Sequence, residues 1–159
     1  MDFMKTDDVK NAMYMGMIKN FERDGFLTPT LFFVKDNTPI IMPIPSDMLE
    51  TPDGKIRIAS MIKSVCTLPM VSGAGLIIEG YAKKFDKDDE VGKLVLNGNI
   101  KLNELNDKED IILMIFSTPY EEIMMGHYVD CENIVVGEKM EDFDQFSGMF
   151  SGFFNWNKN

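Results

Sequence analysis

The sequence is short of the residues that most often carry chemistry. Histidine and tryptophan occur once each, and cysteine twice, among 159 residues. Cys66 and Cys131 stand far apart with no CxxC spacing, so neither a zinc site nor a disulfide framework is expected. With no signal-peptide pattern at the N-terminus, both thiols are expected to be reduced in a cytosolic protein. Basic residues are few: 16 Lys and Arg against 26 Asp and Glu give a net charge of −10, and no stretch concentrates the cations. Affinity for duplex nucleic acid and for anionic membranes rests on such clusters, so neither partner is expected. Long apolar runs are also missing. Ile111 to Phe116 is among the longest, and it has the length of a strand rather than of a bilayer span.

Catalytic constellations fail one by one. Nucleophilic catalysis needs a base, and His127, with Asp130 and Cys131 close by, is the only imidazole. On a strand, residues 127 and 131 share a face but sit too far apart for a hydrogen bond, so a structural histidine is expected. Asp86-Lys87-Asp88-Asp89-Glu90 lacks the glycine and ligand spacing of a calcium loop and reads as a solvated charged loop. Ser72-Gly73-Ala74-Gly75 precedes a strand and has no following lysine, so it reads as a tight turn, not a phosphate cradle. Glu121 and Glu122 fall on opposite faces of a strand, which is not a glycosidase pair. No catalytic residue, metal or cofactor is expected, and the chain reads as a non-enzyme.

What is present is an ordinary globular balance, 45% hydrophobic and 26% charged residues. Thr6, as N-cap, with Asp7 and Asp8 opens a helix along Val9, Ala12, Met13, Gly16, Met17 and Phe21, and Asp24-Gly25 stops it. Thr30–Lys35 and Pro39–Ile44 form a hairpin about Asp36-Asn37. After a polar connection from Ser46 to Gly54, Lys55–Leu68 predicts a second helix and Ala74–Lys83 a strand. Phe85–Lys93 reads as a charged loop, and Leu94–Leu102 as a hairpin about Asn97-Gly98. Asp110–Thr118, Glu122–Asp130 and Glu132–Glu138 complete the strands. This order, helix, hairpin, helix, then several strands, predicts an α+β fold: a mainly antiparallel sheet with two helices packed on one face. Residues 1–140 form the single domain, and 141–159 a separate aromatic-rich segment.

Arg23-Asp24-Gly25-Phe26-Leu27-Thr28-Pro29, the turn Met42-Pro43-Ile44-Pro45, and Gly73-Ala74-Gly75-Leu76-Ile77-Ile78-Glu79 follow one another along the chain. With the charged passage into the strand Asn106–Met114, this order resembles that of small phage and bacterial α+β proteins with no agreed activity. The resemblance covers roughly residues 5–130. It departs at Gly80-Tyr81, where those proteins often carry an aromatic, usually Trp, directly after the glutamate. It implies the α+β fold and a phage-type origin, with host cytoplasm or virion as the setting.

From Glu141 the composition changes. Phe143, Phe146, Phe150, Phe153, Phe154 and Trp156 crowd a short stretch broken by Ser147-Gly148 and Ser151-Gly152. Five of the rings follow helical spacing, although two glycines cost such a helix about 1 kcal/mol each. Either this segment covers a face of its own sheet, or it anchors a protein partner or a second copy of the chain. The functional expectation is an interaction or assembly protein that binds through these six residues. The alternative is a binder of a small nucleotide-like ligand, with Arg23, Arg57, Lys83 and Lys84 available for phosphate.

Overall fold

β1 (Thr30–Lys35) and β4 (Glu109–Ser117) explain the architecture, because both are apolar at every position through their centres. A strand of that kind needs cover on both faces. In the computed structural model, which describes residues 5–82, 88–100 and 104–140, both lie inside a six-stranded antiparallel sheet. The chain runs α1 (Thr6–Asp24), β1, β2 (Thr38–Pro43), a 3₁₀ turn (Ser46–Leu49), α2 (Pro52–Val65) and β3 (Val71–Ala82). It continues through α3 (Glu90–Leu96), β4, β5 (Glu122–Asp130) and β6 (Val135–Lys139). The strand order is β2-β1-β3-β4-β5-β6.

The two long helices lie on opposite faces, which corrects the expectation of two helices on one. Val9, Met17 and Phe21 of α1 pack with Phe32, Val34, Ile77, Ile112, Met114 and Phe116. Ile58 and Ile62 of α2 pack with Leu31, Phe33, Ala74 and Leu76, the residues of opposite parity. Had both helices shared a face, one of these sets would have stood in water.

Local signals set the boundaries. Lys5, not Thr6, is the N-cap of α1; Asp8 accepts from the Lys5 N–H at 3.3 Å, while Thr6 Oγ1 pairs with Ser72 Oγ at 2.8 Å. Gly25 ends the helix at φ 78°, a conformation that a Cβ would strain. Thr51 caps α2, its Oγ1 accepting from the Gly54 N–H, so the helix starts three residues before Lys55. Asp36 and Asn37, at φ 50° and 59°, make the two-residue turn whose handedness matches strand twist. At the outer edge of the sheet, Met42 faces β1 and the Ile44 N–H reaches back to the Pro29 carbonyl. Alternation therefore turns the nitrogens of Pro39, Ile41 and Pro43 outward.

Two expectations on the middle of the chain fail. Asn97-Gly98 closes α3 rather than a hairpin: Asp89 Oδ1 accepts from the Val91 and Gly92 N–H groups at the start, and Gly98 takes φ 78° at the end. The capping aspartate satisfies donors that the predicted loop would have left to water. Ser72–Gly75 is no turn but the start of β3. Gly75 lies between Phe32 of β1 and Phe116 of β4 in register, and their rings stack at 5.8 Å and 15°. A Cβ on Gly75 would run into the Phe32 ring, and one on Gly73 would sit 2.9 Å from Phe116 Cζ.

Two glycine substitutions should act with opposite signs. Gly75→Ala forces the ring pair apart and should destabilise the fold by about 2–3 kcal/mol. Gly16→Ala, inside α1 with no described neighbour within 4 Å of the new methyl, should stabilise it by about 0.5–1 kcal/mol. Urea unfolding of the two variants against the parent chain measures both.

Candidate interaction surface

The sheet has two faces and two halves, which the described contacts of α1 and α2 cover unequally. On the face turned toward α2, that helix and the 3₁₀ turn stand over β2, β1 and β3. Beyond them the same face continues through Ile111, Leu113 and Ile115 of β4. Ile78 and Ala82 of β3, Met124 and Tyr128 of β5, and Met140 pack against these three. None of these neighbours comes from a helix, yet Ile115 is 1% exposed and Ile111 and Leu113 are 7% exposed. Gly126 lies between Met124 and Tyr128 on this face. A Cβ there would meet the Met140 sulfur at 3.2 Å and Leu113 Cδ1 at 3.1 Å. The Met140 N–H donates to the Gly126 carbonyl at 2.8 Å, which fixes where the chain leaves β6.

Phe143, Phe146, Phe150, Phe153, Phe154 and Trp156 lie outside the described residues, as do Lys83 and Lys84. Arg23 and Arg57 are described, and they do not converge: they stand on α1 and α2, on opposite sides of the sheet. Arg23 is already engaged, its guanidinium gripping Asp24 with two bonds of 2.7 and 2.8 Å that hold the Asp24 carboxyl below its ordinary range. A cleft of about 580 Å³ opens beside the end of β3, but its described lining carries Glu50, Glu79 and Asp110 against the single ammonium of Lys55. That sign repels phosphate.

The single histidine holds α1 to the far side of the sheet. His127 Nδ1 lies 3.1 Å from the Gly137 carbonyl, which can only accept, so Nδ1 carries the proton. Nε2 is then the acceptor for the Tyr14 hydroxyl at 2.5 Å, and the two rings stack at 5.7 Å. Both nitrogens are occupied by structure. The thiols are equally unprepared for nucleophilic work. Burial pushes Cys66 up to about 12. Cys131, in the exposed β5–β6 turn, is raised by desolvation and by the carboxylates of Asp110, Glu79 and Asp130. Among the described residues no three His, Cys, Asp or Glu side chains gather to hold a metal ion. No described helix is long and apolar enough to cross a membrane. No family model, curated protein or solved structure matches this chain.

The apolar quarter-face itself was readable only in part. Ile111-Ile112-Leu113-Met114-Ile115-Phe116 is apolar at both parities, which signals two buried faces. Which face lacks a helix depends on strand order, and strand order leaves no local trace.

Thiol labelling checks this description. Iodoacetamide under native conditions should modify Cys131 alone, slowly at neutral pH and about tenfold faster per unit of pH below its pKa. Cys66 should react only after unfolding. Because its folded-state pKa is raised from the ordinary 9.0 to about 12, the stability linked to Cys66 is complete below pH 9. It is lost as pH rises toward 12.

Proposed function

We propose that this chain is a non-catalytic interaction or assembly protein that engages a protein partner, or a second copy of itself, through the aromatic segment 141–159. The carrying observation is where that segment starts. The chain leaves β6 at Met140, which packs against Ile111, Leu113 and Ile115 of β4, and the six aromatic residues follow within the next 16 positions. Rings of this type anchor interfaces because each buries a large apolar area with few torsions to freeze.

The state of the only histidine and of both thiols supports the non-catalytic part of the reading. A nucleophilic cysteine has a lowered pKa, whereas those of Cys66 and Cys131 are shifted upward, and the two nitrogens of His127 are bonded to Tyr14 and Gly137 of the fold itself. The acidic lining of the cleft beside β3 gives no support to an anionic ligand.

Native mass spectrometry of the full chain, gently purified from its host, provides the test. A homo-oligomer or a co-purifying protein is the expected result. Replacing Phe146, Phe150 and Phe154 together by Ser should weaken that association by at least about a hundredfold, or roughly 2.7 kcal/mol. Melting temperature should change little. A bare monomer for both proteins, across a concentration series, would reject the reading.

A further inference from the structure

We infer that the β5–β6 turn, residues 131–134, is a sprung clasp on the end of α1. Its closed form is held by the seat of Ile134 on Gly25; its released form relaxes Ile134 and moves one wall of the two hollows at this end of the sheet.

Backbone geometry is the first argument. Among the described residues, the non-glycine positions with positive φ are Asp36, Asn37 and Ile134, the last at 56°. Asp and Asn tolerate that region in a tight turn. Ile134 is branched at Cβ, and such a side chain crowds its own backbone there. Asn133, one residue earlier, is the type that suits the position, but it is held otherwise. Asp130 accepts from the Glu132 and Asn133 N–H groups at 3.0 Å each, and from Asn133 Nδ2 at 2.8 Å. The strain therefore falls on Ile134, and strain of this kind persists only where the surroundings hold it.

The holding contact is the second argument. The place a Cβ would take on Gly25 is 3.2 Å from Ile134 Cδ1 and 3.3 Å from its Cγ1. Gly25 is itself left-handed, at φ 78°, and closes α1. Two left-handed residues thus lie against each other, the bare backbone of one making room for the branched side chain of the other. Ile134 remains 41% exposed, so its seat covers little more than half of it. Half-covering an isoleucine returns about as much free energy as holding it left-handed costs. Closed and released forms lie close together for that reason, which is the condition for a two-state element.

Position gives the clasp its consequence. Val129 and Cys131, where β5 runs into the turn, line the cleft beside β3 together with Leu27, two residues past Gly25. Asp130, Cys131, Glu132 and Val135 line a second hollow of about 590 Å³. Release shifts a wall of each, so a molecule seated in either selects one position of the turn.

The Cys131 thiol reports that position. In the closed form desolvation and the neighbouring Asp110 carboxylate hold it above its ordinary range; release removes both and speeds alkylation. Ile134→Ala keeps an L side chain in the left-handed region and loses the seat, so the turn should open. Iodoacetamide at neutral pH should then modify Cys131 about fivefold faster than in the parent chain. Ile134→Gly loses the seat and the strain together, so the turn should keep its shape and the rate should stay within about twofold of the parent. Circular dichroism melts confirm that both variants fold. Relaxation dispersion of the Ile134 δ1 methyl in the parent chain tests the clasp without any variant: exchange on the microsecond-to-millisecond scale is expected there and not at Ile112 of the core. A flat profile at Ile134 would overturn the inference. So would an unchanged alkylation rate in Ile134→Ala, or a rate in Ile134→Gly as high as in Ile134→Ala.

Discussion

The stack of Phe32 on Phe116 across Gly75 is the contact on which the rest of the structure depends. Neighbouring strands stand about 4.8 Å apart, so side chains two strands away are normally separated by the residue between them. Gly75 removes that residue, and the rings close to 5.8 Å over the bare backbone of β3. The stack joins β1, β3 and β4 into one unit and forms the floor on which Val9, Met17 and Phe21 of α1 rest. Gly73 extends the same device. The place its Cβ would occupy is 3.1 Å from Thr6 Cγ2, so α1 seats its first turn directly on the strand. Two missing methyl groups thus set the distance between helix and sheet.

On the opposite face the central strands again present large apolar side chains, but the helix there is short and stands to one side. α2 spans Pro52–Val65 and covers the half that ends at β3. The asymmetry is physical, since the α2 connection is short and must return to pair β3 beside β1. A crossover helix with so little linker cannot reach β5. Beyond it, Ile111, Leu113 and Ile115 of β4 pack with Ile78, Ala82, Met124, Tyr128 and Met140.

Much of this was legible in the sequence where the determinants are local. The β1–β2 hairpin depends on Asp36-Asn37, the end of α1 on Gly25, and β4 and β5 on their apolar runs; all of these lie within a few residues of their expected places. Asn97-Gly98 misled because hairpin turns and helix ends both demand positive φ. Only Gly98 adopts it, while Asn97 stays at φ −82° in the helical region. Ser72–Gly75 misled for a different reason: its glycines answer to Phe32 and Phe116, 43 and 41 residues away from Gly75. The separation of Arg23 from Arg57 was hidden for the same reason, because it follows from which face each helix takes. The unbroken apolar stretches of β1 and β4 did announce two covered faces, and they are the signal that a reading by helix count alone passes over.

The prolines of β2 have a consequence for how such a sheet can grow. Pro39 and Pro43 stand where amide hydrogens would otherwise point outward, which leaves Ile41 as the one donor along that rim between them. Among the described residues the sheet thus ends in a donor-poor rim at β2 and in β6 at the other side. With a single N–H between its two prolines, the β2 rim is a poor template for a further strand. The open-ended stacking that turns edge strands into fibres needs two good rims, and the prolines of β2 disfavour one of them.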